Sequence, residues 1–154
     1  MRSPLRKTLA VVAAAIVTPA VAACEPVEGG GGEAPNPLAK CRTGFQSPYR
    51  PRIAPGRLIK GETKTTCRQS PDTHKVTLYL QRRTPAGWEV RDQEVSTLVP
   101  DAEGFTLLVL VDCAPGTWRL RFEVIATAGT QTASPKENSD TLTIRSWEEC
   151  GVPR

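Results

Sequence analysis

Pro115-Gly116-Thr117-Trp118-Arg119-Leu120-Arg121-Phe122-Glu123-Val124-Ile125 is the stretch that decides the fold. From Thr117 onward large apolar side chains alternate with polar or charged ones. In an extended chain this sends Trp118, Leu120, Phe122 and Val124 to one face and Thr117, Arg119, Arg121 and Glu123 to the other. Pro115-Gly116 before the run and Ala128-Gly129 after it are turn signals. A strand with one apolar face needs a second layer to cover it.

The neighbouring segments supply that layer. Val76, Leu78 and Leu80 alternate with Thr77 and Tyr79, and Pro85-Ala86-Gly87 then turns into Trp88-Glu89-Val90-Arg91, the pattern of a β-hairpin. Phe105 to Val111 is apolar on both faces, which predicts a central or doubly covered strand. Thr141 to Arg145 predicts a final strand, with Leu142 and Ile144 inward, after a polar loop through Ser134-Pro135-Lys136-Glu137-Asn138. Arg57 to Arg68 and a ragged segment near Phe45 to Ile53 bring the total to about seven strands, and no long segment keeps a helical apolar period. The chain therefore predicts an all-β, immunoglobulin-like or fibronectin-like β-sandwich.

The cysteines test that topology. If the strands run alternately up and down, Cys41 and Cys67 lie at one end of the sandwich, and Cys113 and Cys150 at the other. Of the three pairings open to four cysteines, this selects Cys41 with Cys67 and Cys113 with Cys150. In the chain-entropy model each bond contributes about 3.5 to 4 kcal/mol. No cysteine pair has C-x-x-C spacing and the chain has 1 histidine, so neither a zinc site nor any other cofactor is implied.

The fifth cysteine, Cys24, lies outside this scheme. Arg2, Arg6 and Lys7 precede a short apolar run from Leu9 to Val17, and Pro19 follows, the pattern of a cleaved export signal over residues 1–23. Val21-Ala22-Ala23-Cys24 resembles the bacterial lipobox, with Val in place of the usual first Leu, and the same Pro-Ala-Val-Ala-Ala context also suits ordinary signal-peptidase cleavage. Acylation of Cys24 would also remove the odd thiol from an oxidising compartment. Residues 24–39, with Gly29 to Gly32 and three prolines, read as a flexible linker spanning about 20–25 Å. A domain over 40–150 and a short tail over 151–154 complete the division. The expected partner through Cys24 is the membrane, with the chain on its outer face or released outside the cell.

Charge narrows the partners further. The chain has 20 Lys and Arg against 16 Asp and Glu, but three of the basic residues precede Cys24, which leaves 17 minus 16, or +1. That balance gives no ground for nucleic-acid binding. The cations are nonetheless uneven. Lys40, Arg42, Arg50, Arg52, Arg57, Lys60, Lys64 and Arg68 stand against Glu62 alone over residues 40–68. Two explanations compete: a face for an anionic envelope polymer, lipid headgroup or acidic protein partner, or edge strands whose cations deter sheet-to-sheet association.

Catalytic constellations are sparse. Ser70, Asp72 and His74 lie close in sequence, but in what reads as an exposed loop, with no oxyanion-stabilising turn beside them. The pairs Asp92 with Glu94 and Glu148 with Glu149 read as solvated charges. Cys67, then His74-Lys75-Val76-Thr77-Leu78-Tyr79-Leu80-Gln81-Arg82-Arg83 with Gly87-Trp88, then Cys113-Ala114-Pro115-Gly116-Thr117-Trp118-Arg119-Leu120-Arg121, resembles small exported proteins of high-GC actinobacteria, most of them without an assigned activity. The resemblance spans residues 41–150, implies an immunoglobulin-like sandwich in an exported protein, and brings no catalytic residues with it. The expectation is a non-catalytic cell-surface or binding module. The competing expectation is a secreted inhibitor of extracellular proteases, presenting Arg68-Gln69-Ser70-Pro71 beside Cys67.

Overall fold

The computed structural model describes residues 36–151, which form β-strands joined by turns. The strands are β1 (Cys41–Phe45), β2 (Arg52–Ala54), β3 (Leu58–Cys67), β4 (Thr73–Thr84), β5 (Gly87–Ser96), β6 (Phe105–Asp112), β7 (Gly116–Ala128), β8 (Gln131–Ala133) and β9 (Lys136–Ile144). Every pairing is antiparallel.

Sheet A places β3 at its centre, with β6 on one side and both β1 and β2 on the other. β1 pairs with the Thr63–Cys67 half of β3 and β2 with the Leu58–Lys60 half, so the two short strands share one lane. The turn through residues 46–51 interrupts it, which is why Phe45 to Ile53 reads as ragged. Sheet B runs β5-β4-β7, and β8 and β9 share the lane beyond β7. The nine strands thus occupy seven lanes, three facing four, as in an immunoglobulin-like or fibronectin-like sandwich.

Alternation sets which side chains meet between the sheets. Ile59, Leu107 and Val109 from sheet A pack with Val76, Leu78, Leu80, Trp118, Leu120, Phe122 and Val124 from sheet B, and Ile144 joins them from β9. The Phe45 and Phe122 rings lie 5.1 Å apart between centroids, within the range of favourable aromatic pairs. Among the buried polar groups, Thr63 donates its hydroxyl to the Gly44 carbonyl at 2.9 Å, and the Trp118 indole N–H donates to Ala114 O at 3.0 Å.

The two disulfides join Cys41 to Cys67 and Cys113 to Cys150. Cys41 and Cys67 are direct cross-strand partners, with Cα atoms 4.0 Å apart. The N–H of Arg68 bonds to the carbonyl of Lys40 in the adjacent pair, so the cysteines occupy a non-hydrogen-bonded pair, the closer of the two antiparallel spacings. Cys113 follows β6, at the opposite end of β3 from Cys67, and ties the β6–β7 turn to the turn after β9. Cys24 lies outside the described residues.

Four expectations need correction. β6 is neither central nor covered on both faces: it pairs with β3 alone, Leu107 and Val109 are buried, and Leu108 and Leu110 are 41% and 40% exposed. Leu108 lies opposite Glu62 and Leu110 opposite Lys60, whose aliphatic stems give apolar groups on an outer face something to lie against. The free edge of β6 is hooked by the other sheet, where Asp92 Oδ2 accepts the Leu110 N–H at 2.8 Å, so Asp92 is more than a solvated charge. Lys136 to Asn138 belong to β9 rather than to a loop. The β7–β9 register shifts between Arg119 and Arg121, and there the Ser139 hydroxyl accepts the Leu120 N–H at 2.8 Å. Finally, Pro37 is buried and Leu38 packs against the core, so the folded domain takes in residues placed in the linker by composition.

At Gly61 on β3 the Leu120 side chain of the facing sheet packs directly against the backbone. A methyl group there would lie 2.1 Å from Leu120 Cδ2, and Leu120 is itself buried. Gly61→Ala is expected to lower unfolding free energy by about 1–3 kcal/mol through overpacking. Gly44→Ala, where a methyl meets nothing within 4 Å, should change it by less than about 0.5 kcal/mol. Equilibrium urea unfolding of both variants distinguishes these outcomes.

Candidate functional site

The basic segment folds into the outer face of sheet A. On β3 the odd-numbered residues Ile59, Gly61, Thr63, Thr65 and Cys67 are buried, which turns Lys60, Glu62 and Lys64 outward. Arg52 pairs with Lys60, Gly44 with Lys64 and Arg42 with Thr66, so Arg42 and Arg52 share that outer face. Lys40 and Arg68, both exposed, extend the alternation one pair beyond the strand ends. From Lys60 to Arg68 the strip runs about 25 Å along the strand. Arg50 and Arg57 sit in turns outside it.

The charge along the strip is uneven. Glu62 pairs with Arg52 at 2.9 Å and with Lys60 at 2.8 Å. The Lys60 hydrogen bond, with its charge and that of Arg52, holds the Glu62 carboxyl below the usual carboxylate range against the opposing effect of burial. Lys40, Arg42, Lys64 and Arg68 make no ion pair among the described residues. Edge protection accounts for Arg42 and Arg52, which lie on the edge lane. It does not account for Lys60 and Lys64, because β3 is paired on both sides.

Sheet B carries a second cationic cluster that the strand-by-strand reading did not bring together. Arg83 on β4 lies directly opposite Trp88 on β5, and Arg119 reaches over from β7. The guanidinium carbons of Arg119 and Arg83 are 4.2 Å and 5.5 Å from the Trp88 ring centre. Arg119 Nε donates to Gln81 Oε1 at 2.9 Å, and Arg121 pairs with Glu123. The sequence signal was partial: alternation sends Arg119 and Arg121 outward, but only the cross-strand register assembles them with Arg83 and Trp88.

The histidine constellation does not assemble. Ser70 Oγ donates to the Pro100 carbonyl at 2.7 Å, and Asp72 Oδ2 accepts the Gly129 N–H at 2.6 Å. His74 is not an exposed loop residue. It continues the inward series Val76, Leu78, Leu80 on β4, is 2% exposed, and meets the Phe105 ring edge-on at 6.0 Å. Neither ring nitrogen has a hydrogen-bond partner. Burial pushes its pKa down; the nearby Leu98 backbone opposes this without forming a hydrogen bond. The Arg68-Gln69-Ser70-Pro71 segment is short, tethered through Ser70 and anchored by buried Pro71, which leaves Arg68, Gln69 and Ser70 exposed. Among the described residues no group of three His, Cys, Asp or Glu side chains could hold a metal ion.

Neither a protein-family model nor a curated protein matches the sequence. Two solved structures are similar to part of the chain. One is the solution structure of R. palustris CsgH, 13% identical, covering 62% of this chain and 89% of that one, with a TM-score of 0.40. The other is the E. coli curli protein CsgC, 17% identical, covering 62% of this chain and 96% of that one, with a TM-score of 0.39. At such identity and TM-score neither neighbour's role transfers to this chain.

The buried His74 predicts a pH-dependent stability. Its folded-state pKa lies below the ordinary 6.5, so above that pH both states hold it neutral and it adds no slope. As pH falls below 6.5 the unfolded chain takes the proton first, and stability drops by at most about 1.4 kcal/mol per pH unit until the folded pKa is reached. Chemical unfolding of wild type and His74→Leu between pH 5 and 7.5 checks this. The wild type should lose stability relative to the variant on acidification, and parallel curves would contradict it.

Proposed function

We propose that this chain is an exported, non-catalytic binding module whose sheet A outer face holds an anionic envelope polymer. The observation that carries the reading is the placement of Lys40, Arg42, Lys64 and Arg68 on one sheet face with no ion-pair partner among the described residues. Like charges left together on a paired sheet cost some stability, and a polyanion laid along them would offset that cost. A repeating anion matches a strip of this length better than a small ligand does. The separate engagement of Ser70, Asp72 and His74 supports the non-catalytic part.

The same proposal places the module at the membrane surface through a lipid on Cys24, in keeping with the exported actinobacterial proteins its sequence resembles. With Cys41, Cys67, Cys113 and Cys150 all paired, acylation gives the remaining cysteine a role outside the fold.

Two measurements test this. Binding to a linear polyanion such as polyglutamate should weaken steeply as salt rises. The triple variant Arg42→Gln, Lys60→Gln, Lys64→Gln should weaken it by about tenfold or more while melting near the wild type, and unchanged affinity would remove the surface from consideration. In detergent phase partitioning with mass measurement, the wild type should enter the detergent phase with a diacylglyceryl mass and Cys24→Ser should not. An aqueous, unmodified wild type would reject the anchor and leave the binding face untouched.

A further inference from the structure

We infer that the Arg83–Trp88–Arg119 cluster on the outer face of sheet B is a second, discrete site, for a saccharide bearing a carboxylate or sulfate group. It lies on the opposite side of the sandwich from the basic strip and does not rest on that strip's role. The cluster is built across three strands. β4 supplies Arg83 and Gln81, β5 supplies Trp88, and β7 supplies Arg119 and Arg121, in a register fixed by the buried residues between them.

Three features point to an oxyanion. Neither Arg83 nor Arg119 makes an ion pair among the described residues. Glu123, two outward positions along β7 from Arg119, is engaged by Arg121 and lies within 3.4 Å of the Tyr79 hydroxyl. Burial, and then repulsion from Arg121 and Arg83, push the Arg119 pKa down, as expected of a cation short of counter-charge. The guanidinium stays charged at any physiological pH, so a bound anion is the available compensation.

The geometry is also prepared for recognition. The cation–π contact of Arg119 over the Trp88 ring, together with its bond to Gln81, restrains that guanidinium and reduces the conformational entropy lost on binding. Gln81 takes the Arg119 Nε–H, which leaves the terminal nitrogens of Arg119 to form charge-assisted bonds with a planar or tetrahedral oxyanion.

The surroundings favour a sugar as the carrier of that anion. Thr141 lies opposite Arg119, Thr117 opposite Thr143, and Gln93 opposite Tyr79 on this face, so neutral hydroxyl and amide groups flank the arginines. Such groups suit sugar hydroxyls, while the partly exposed indole offers an apolar edge to a pyranose ring.

The test is titration of the purified protein with polygalacturonate, heparin, neutral dextran, inorganic sulfate and phosphatidylglycerol vesicles, followed by tryptophan fluorescence and by direct binding. Polygalacturonate or heparin should bind with a change in emission that disappears in Trp88→Phe. Dextran should not bind, and inorganic sulfate should bind at least about tenfold more weakly. Arg83→Gln with Arg119→Gln should weaken the saccharide binding reported by Trp88 emission by about tenfold or more. Arg119→Lys, which keeps the charge but loses the planar fork, should weaken it severalfold at an unchanged melting temperature and serves as the test if the double variant does not fold. Arg42→Gln with Lys64→Gln should leave the Trp88 signal intact, which separates this site from the sheet A surface. The inference is overturned if the arginine variants bind as the wild type does, if dextran binds equally, or if only vesicles or free sulfate give the response.

Discussion

The contact of Leu120 against the β3 backbone at Gly61 is the constraint on which the rest of this molecule depends. The glycine lets the two sheets come together there, and the contact fixes which residues of β3 and β7 face inward. Strand side chains repeat with period two, so whatever sets the inner face also sets the outer one. With Gly61 and Leu120 inside, Lys60 and Lys64 must point out from sheet A and Arg119 and Arg121 from sheet B. A slip of one residue in either strand would send these cations into the core, at a cost that no partner there could offset.

Both cationic faces are therefore consequences of core packing, but they differ in construction. The sheet A strip is a row of separate charges, partly neutralised by Glu62, along the lanes of β3 and the edge strands. That is the character of a surface for a long, weakly specified polyanion. In the sheet B cluster, stacking and hydrogen bonds hold the guanidinium of Arg119 in place. Fixed groups of that kind discriminate by shape and by the geometry of the oxyanion.

Much of this was legible in the residues because it is local. The alternation of Thr117 to Ile125 and of Val76 to Leu80 identified both inner strands of sheet B. The up-and-down order of the strands placed Cys41 beside Cys67, and Cys113 beside Cys150. The misreadings came where one chain segment does not specify its neighbour. Phe105 to Val111 is apolar on both faces, and an apolar run alone does not distinguish a covered strand from an edge strand whose outer leucines stand opposite Glu62 and Lys60. Lys136 to Asn138 is polar, yet cross-strand hydrogen bonds to β7 hold it extended. His74 follows the inward parity of β4, but its turn-like neighbours suggested a loop. The Arg83–Trp88–Arg119 cluster depends on register across three strands, including the shift between Leu80 and Gln81, which no single strand reveals.

Amide and side-chain NMR shifts during titration with a short uronate oligosaccharide test the central claim, that outward parity on two sheets creates two anion-binding faces, most directly. The account predicts shifts at the outward positions of β1 and β3, and a separate, tighter set around Arg83, Trp88 and Arg119, with the buried alternates between them nearly unmoved. Shifts confined to the turns, or no shifts at saturating ligand, would contradict it.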